Sequence, residues 1–562
     1  MARQPTKGHI AVTDNTQQRV RLFGAPSIVG ICGALVLVAL SYSPSLLPRP
    51  SLMQGVITGI SMAAGYGVAV FIARLVKLFT AWRPEPHTRR IIWVFVLAAA
   101  VAVFAAAVIA GTSGQNDVRA LLHMGDTGVG TVALSVPVAL VIGFLLLLAS
   151  RGLRNLGKRF GRLFARWLPH GFAVVLGGVT SAVVALLLVA LAVNVFYFVS
   201  GSMFGAKNKE TAPGVTQPTA AERSGGPGSL VSWESLGYQG RNFTGRGPSP
   251  SDIEDFSGEP ALQPIRVYVG IETASTAEER AALAVKELQR TGAFSRGLLI
   301  VMGCTGTGWI EPQSANPPEY MWGGDTAEVT IQYSDLPSWI ATLTDRAKAT
   351  TAGAALFDAV YDEWSKLPEG ERPLLIAYGL SLGSYACQAA FAGASDITAR
   401  TGGAYFAGTP NMTEPWRTIE DTRDAGSPEW QPIYGGGTSL RFASGVSSFA
   451  HPAGPWDTPR VAYLQHGSDP VVWWSPNLLL LRPDWLAEPR APDVSPRTMW
   501  FPLVTFLQVT VDQFYGTTVP PGYGHNYGNM SVETWAKVAP PPGWTVAQTE
   551  KLQARINGYA IE

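Results

Sequence analysis

The sequence predicts two halves of different class: an α-helical membrane bundle through residue 201, then an α/β domain with a doubly wound, mostly parallel sheet. Three observations predict this. Five apolar stretches crowd the first 201 residues. From residue 264, short apolar runs alternate with segments of helical spacing, the pattern of a parallel sheet covered on both faces. Charge divides at the same place: residues 1–201 carry 17 Lys and Arg against 4 Asp and Glu, net +13, and the remainder carries 25 against 37, net −12. The acidic second half argues against nucleic acid as a partner. A chain of 562 residues has room for two or three domains.

The apolar stretches are residues 27–46, 52–73, 91–111, 128–150 and 171–199, none with a charged residue in its central region. A span needs about 20 apolar residues, so the expectation is five transmembrane helices over 27–201, the first interrupted at its end by SYSPSLLP. The tail, residues 1–26 (Arg3, Lys7, Arg19, Arg21), the second loop (Arg74, Lys77, Arg83, Arg89, Arg90) and the fourth loop (Arg151, Arg154, Lys158, Arg159, Arg162, Arg166) hold 15 basic residues, against Arg49 and Arg119 in the other two loops. The positive-inside rule then places the tail in the cytoplasm, and five crossings place the C-terminal half outside it. The long basic tail and the missing A-x-A site argue against a cleaved signal peptide. Pro137 should kink the fourth span. Gly55, Gly59, Ala63 and Gly67 recur every four residues in the second, a stripe suited to close helix packing or a lipid groove. The absence of intramembrane charge argues against an ion pathway, and the basic fourth loop suits an anionic lipid surface.

Residues 202–262 are rich in Gly, Pro, Ser and Thr and read as a linker, flexible over 205–228. The α/β domain is expected over 263–562. Its strands are RVYVGI, GLLIVMG, EVTIQYS, LLIAYG, GAYFAGTP (403–410) and RVAYLQHGSDP (460–470), with helical segments between them. LLIAYG runs into Gly379-Leu380-Ser381-Leu382-Gly383, a G-x-S-x-G followed by a helical SYACQAAFAG. Strand–turn–helix context is what a nucleophile elbow requires, because the sharp turn lifts a serine Oγ above the sheet edge. Gly379 and Gly383 tolerate the crowding of that turn.

A serine nucleophile needs an imidazole base and a carboxylate to orient it. Of seven histidines, only His451, His466 and His525 follow Ser381. His525 sits in the glycine-rich loop PGYGHNYGN, which lets a ring reach back to the elbow. His466 ends a strand and reads as a structural residue; His451 reads as a surface-loop residue. Asp469 follows the strand RVAYLQ at the same sheet edge as Ser381 and is the expected acid; Asp457 and Asp484 lie in loops. The expected triad is Ser381–Asp469–His525. An oxyanion hole needs two N–H donors. Leu382 should supply one. The second is expected from the loop after GLLIVMG, at Thr305 and Gly306, with Ile271-Glu272-Thr273 as the competing loop. No metal-ligand spacing and no cofactor motif are present. Cys32, Cys304 and Cys387 are too few for a disulfide framework and read as free or buried thiols, a Cys304–Cys387 bridge being the alternative. Trp473, Trp474, Trp485 and Trp500 suit a core, an acyl pocket or the membrane interface. Residues 499–514 read as an apolar helix.

The segments QPIRVYVG, GTGWIEP, GGDTAEVTIQYSDLPSW, YGLSLG, YLQHGSDPVVWWSP, RPDWLAEPR, WFPLVTFLQV and GHNYG, with SPSLLPRPSLMQGVITG in the first half, resemble the alpha/beta-hydrolase 9 family. These are polytopic membrane proteins, largely actinobacterial. The resemblance implies an α/β-hydrolase fold, with Ser381, Asp469 and His525 on the family's serine, acid and histidine motifs. Two positions depart from the family pattern: Leu380, often Glu there, and Thr409, often Pro. The whole pattern leads to the expectation of a membrane-anchored serine hydrolase, esterase- or lipase-like, that faces the cell exterior and acts on a lipid or acylated envelope substrate among membrane lipids. An acyltransferase with the same triad is one alternative; a non-catalytic envelope scaffold is the other.

Overall fold

The computed structural model describes residues 26–79 and 86–558. The basic tail residues Arg3, Lys7, Arg19 and Arg21, and the loop residue Arg83, lie outside them. Each expected apolar stretch forms a helix: α1 (Ile28–Ser41), α2 (Ser51–Val76), α3 (Pro86–Leu121), a short α4 (Val129–Ala133) leading into α5 (Ser135–Phe164), and α6 (His170–Asn208). Four spans are long and apolar enough to cross a membrane: α2, α3, α4 with α5, and α6. Helix α1 has 14 residues, a rise of about 21 Å against a hydrocarbon core of about 30 Å. The described residues therefore hold four full-length spans and one short apolar helix, not five full-length spans. The cause is the proline-rich stretch after Ser41, with Pro44, Pro48 and Pro50, which cannot continue a helix. It buries Leu46 and Leu47 in the core of the α/β domain instead.

The glycine stripe is a packing seam. A Cβ at Gly55 would meet Val138 at 2.5 Å, and one at Gly59 would meet Ile142 at 2.7 Å, so α2 and α5 touch backbone to side chain there. Gly65 faces α1, where Gly33 lies 2.4 Å from the position its Cβ would take, and Gly67 faces open space. Pro137 acts one turn earlier than expected. It has no N–H for the carbonyl of Ala133, and the span divides at Leu134, between α4 and α5. Among the described residues the bundle meets the α/β domain at one end. Ser45 and Arg49 touch Asp512, Asp117 at the end of α3 pairs with Arg497 at 2.6 Å, and Asn208 at the end of α6 accepts from Gln332 at 3.2 Å. Arg74, Arg90, Arg151, Arg154, Lys158, Arg159 and Arg162 lie toward the opposite ends of their helices.

The α/β domain is built on seven parallel strands: β1 (Ile265–Val269), β2 (Leu298–Gly303), β3 (Thr326–Ile331), β4 (Leu374–Leu380), β5 (Gly403–Ala407), β6 (Leu440–Ala443) and β7 (Arg460–Leu464). Their order is β1-β3-β2-β4-β5-β7-β6, and every pairing is parallel. The helices Ala277–Thr291 and Arg346–Ser365 cover one face; Pro312–Met321 and Ser531–Val538 cover the other. Six strands fall where the apolar runs predict them. Strand β6 was not anticipated: it is four residues between GGGTS and SGVSS, too short to stand out as a run.

Residues 202–262 are not a flexible linker. Helix α6 runs on through Asn208, and Arg223 forms a parallel bridge with Arg266 on the free edge of β1. The Arg223 guanidinium donates to the carbonyls of Thr244, Arg246 and Pro248. Leu236, Phe243, Ile253 and Phe256 join the core. The glycines and prolines of this segment hide apolar residues spaced widely enough to escape a periodicity reading.

The helix Val504–Asp512 fulfils the expectation of an apolar helix over 499–514 and makes the main contact with the bundle. Gln508 donates to the Ser43 carbonyl at 2.9 Å, Ser45 donates to Asp512 at 2.5 Å, and Arg49 lies 3.9 Å from Asp512 with both side chains fully buried. Asp512→Ala leaves the Arg49 guanidinium buried without its carboxylate, at a cost of about 3 kcal/mol. The expected outcome is a lower unfolding midpoint of the detergent-solubilised full chain, with Ser45→Ala lowering it by less.

Candidate active site

Strand β4 ends at Leu380, and the helix Leu382–Gln388 starts two residues later. Ser381 between them has φ 57° and ψ −128°, a region that costs a non-glycine residue about 1–3 kcal/mol. Its neighbours hold it there. The Ser381 N–H donates to the carbonyl of Ala407 on β5 at 2.8 Å, and the Ser381 carbonyl accepts from Tyr385 at 3.1 Å. A Cβ on Gly379 would lie 2.6 Å from the Gly383 carbonyl oxygen, and one on Gly383 would lie 2.2 Å from that of Gly303. These contacts require glycine at both elbow positions.

Asp469 follows β7 and is fully buried. Its carboxylate accepts three hydrogen bonds: from the Val471 N–H at 2.8 Å, from His525 Nδ1 at 2.7 Å and from the Tyr527 hydroxyl at 2.6 Å. With Nδ1 committed to the acid, His525 Nε2 is buried and without a partner. Ser381, Leu382 and His525 line one cavity of about 240 Å³ with Thr305, Trp309 and Glu311. A larger cavity of about 570 Å³ shares Trp309 but includes neither Ser381 nor His525, so the smaller one is the candidate site.

The residues expected to supply oxyanion donors differ in position. Leu382 lines the cavity, and as the first residue of its helix it has no helical acceptor for its N–H. The loop after β2 borders the serine because β2 pairs with β4, while β1, which precedes Ile271-Glu272-Thr273, lies at the far edge of the sheet. The backbone donors expected from the β2 loop are engaged elsewhere: the Thr305 N–H donates to the Trp309 carbonyl at 3.0 Å and the Gly306 N–H to Ser338 Oγ at 3.4 Å. The tight turn Thr305–Trp309 closes on itself, so of this pair only Thr305 borders the cavity.

The other histidines and acids fall where the sequence suggested. His466 is fully buried, bonds the Gly524 carbonyl through Nδ1 at 2.8 Å and stacks on Tyr527 at 4.3 Å, so it props the loop that carries His525. His451, Asp457 and Asp484 are exposed. Trp473 and Trp485 are core residues, Trp474 lines the cavity, and Trp500 is half-buried with its indole N–H on the Leu478 carbonyl. Cys32, Cys304 and Cys387 are free. Burial pushes the Cys304 and Cys387 thiols up to about 12, which leaves them inert. Leu380 lines the cavity, whereas Thr409 bonds Ser384 at 2.8 Å behind the elbow. Among the described residues no cluster could hold a metal ion.

A model of the alpha/beta-hydrolase family matches residues 265–552, and a model of that family's N-terminus matches residues 42–248. The chain belongs to the alpha/beta-hydrolase family. No curated protein and no solved structure matches it. In this family member His525 follows the helix Val504–Asp512 rather than a strand, and the sheet ends instead on β6, which comes earlier in the chain.

Sequence reasoning missed two residues of the site. Glu311 lines the cavity, buried, with its carboxyl accepting from Ser314 at 2.7 Å; burial raises its pKa above the ordinary carboxylate range. Tyr527 stands two residues after His525 in GHNYG, and that spacing was the available signal. Its hydroxyl donates to Asp469 and accepts from the His466 N–H at 3.1 Å. Tyr527→Phe removes one hydrogen bond from the carboxylate, worth about 1 kcal/mol. The expected outcome is a roughly fivefold slower labelling of Ser381 by an organophosphorus probe, measured on protein whose unfolding midpoint is recorded in parallel.

Proposed function

We propose that this alpha/beta-hydrolase is a membrane-anchored serine acyl hydrolase acting on a lipid or acylated envelope component. One observation carries the reading: a serine on a positive-φ turn and an acid-bound histidine with a free Nε2 line the same cavity. Ser381 Oγ attacks the ester carbonyl while His525 Nε2 takes its proton. Asp469 holds the ring through Nδ1 and stabilises the imidazolium. The Leu382 N–H, joined by the Thr305 hydroxyl, receives the oxyanion. The ester C–O bond then breaks, His525 returns the proton to the leaving alcohol, and water repeats the sequence on the acyl-serine. Leu380, Met412, Val471 and Trp474 in the lining suit an acyl chain.

A second reading, transfer of the acyl group to a hydroxyl other than water, draws support from the 570 Å³ cavity on the other side of Trp309. Asn242, Gln239 and Tyr238 line it, which suits a polyhydroxyl acceptor.

Fluorophosphonate labelling tests the serine chemistry. Wild type is expected to label, and Ser381→Ala and His525→Ala are expected not to; folded wild type that stays unlabelled would sink the proposal. The basic residues at the ends of α2, α3 and α5 remote from the α/β domain support an extracytoplasmic active site. A periplasm-dependent reporter at the C-terminus is expected to be active; activity of a cytoplasm-dependent reporter in its place would reverse the orientation.

A further inference from the structure

The short helix Ser338–Thr344 has the sequence SWIATLT, with no charge. Ile340 and Ala341 point into the domain, while Trp339 and Leu343, one helical turn apart, are 43% and 61% exposed. Ser338, Trp339 and Thr342 of the same helix line the serine cavity. Opposite them, Gln513 and Thr517 line it too, and Phe514 between them is 50% exposed. The mouth of the cavity is thus rimmed by three large apolar side chains, which soluble surfaces seldom place together.

The rim is continuous with a membrane span. Phe196 of α6 packs against Trp339 at 5.9 Å, and Trp339 meets Phe514 edge-on at 5.5 Å. Around Phe196 the outer surface of α6 is apolar and open, with Val195, Phe198 and Met203 all more than half exposed. The apolar run of α6 continues from Gly171 to Val199, so a tilted span keeps Phe196 in its last turn, at the depth where aromatic rings collect.

We infer that the serine cavity opens sideways onto the bilayer between α6, the helix Ser338–Thr344 and the 513–517 segment, and that its substrate is the ester-linked acyl chain of a membrane-resident lipid. The inference rests on the proposed serine chemistry for its reaction but not for its geometry. The chain slides from the bilayer past Trp339 and Phe514 to Ser381, and its methylene groups exchange lipid neighbours for Val471, Met412 and Trp474 without crossing water. This explains why the bundle is docked so closely to the α/β domain: α6 forms one wall of the entrance.

Two measurements on the full chain in phosphatidylglycerol vesicles test it. The first compares a long-chain fluorogenic ester lipid within the bilayer with a short-chain soluble p-nitrophenyl ester. Leu343→Glu, outside the cavity lining, is expected to slow turnover of the bilayer ester at least tenfold and to leave that of the soluble ester within twofold. Equal effects on both esters, or none on either, would overturn the entrance. The second needs no turnover. Leu343→Cys in a Cys32→Ser background, labelled with bimane, is expected to be quenched by lipids brominated on their acyl chains. Quenching by aqueous iodide alone would overturn the lipid-facing mouth even if Ser381 labels normally. Lipid quenching without any labelling of Ser381 would keep the bilayer-facing cavity and remove the serine chemistry.

Discussion

Three backbones meet beneath Ser381 at distances that leave no room for a Cβ: β2 at Gly303, β4 at Gly379, and the first turn of the helix Leu382–Gln388 at Gly383. This contact sets the rest of the catalytic half. It lets the helix start immediately after the strand, and that forces Ser381 to positive φ at the sheet edge. The parallel order of the strands then brings the ends of β2, β5 and β7 to the same edge, and with them the loops of Thr305, Pro410 and Asp469. Ligands collect at that edge in doubly wound sheets because every crossover leaves its strand end open there. A side chain at any of the three glycines would push the helix off the sheet and flatten the turn.

A second constraint holds the loop of His525 from the side of the bundle. His525 is not on a strand. It follows the helix Val504–Asp512, whose last residue is sealed against Ser45, Leu47 and Arg49. The proline-rich stretch that shortens α1 is the same stretch that supplies these partners. The short first helix and the position of His525 thus share a cause: residues 43–50 leave the bundle and become part of the core on which the histidine loop is built. The bundle reaches the surroundings of the cavity through this contact and through the packing of Phe196 on Trp339.

Much of the site was legible because its signals are local. The elbow, the strand-end acid and the glycine-rich histidine loop each declare themselves within about ten residues. Tyr527 and Glu311 did not, because a buried tyrosine and an acid at a helix start are ordinary until their neighbours are known. The backbone donors of Thr305 and Gly306 were expected to be free, but a loop rich in glycine can close on itself, and it does so through the Trp309 carbonyl. Residues 202–262 were misread for a related reason. Composition reports the average preference of a segment, whereas Arg223 and Leu236 are ordered by what they touch, the carbonyls of a neighbouring loop and the edge of β1.

By itself the sequence determined the class of each half and six of the seven strands, and it pointed to Ser381 and His525, which line one cavity, and to Asp469, which is hydrogen-bonded to His525. It could do so because hydrophobic period, turn chemistry and chain order are properties of short segments. Only the tertiary structure decided the order of the strands, the short α1 and the position of β6, and only it paired the serine cavity with the face of α6. Those depend on contacts between residues hundreds of positions apart, such as Ser45 with Asp512 and Phe196 with Trp339, and no local pattern in the chain encodes which distant surface a buried carboxylate or an aromatic ring will meet.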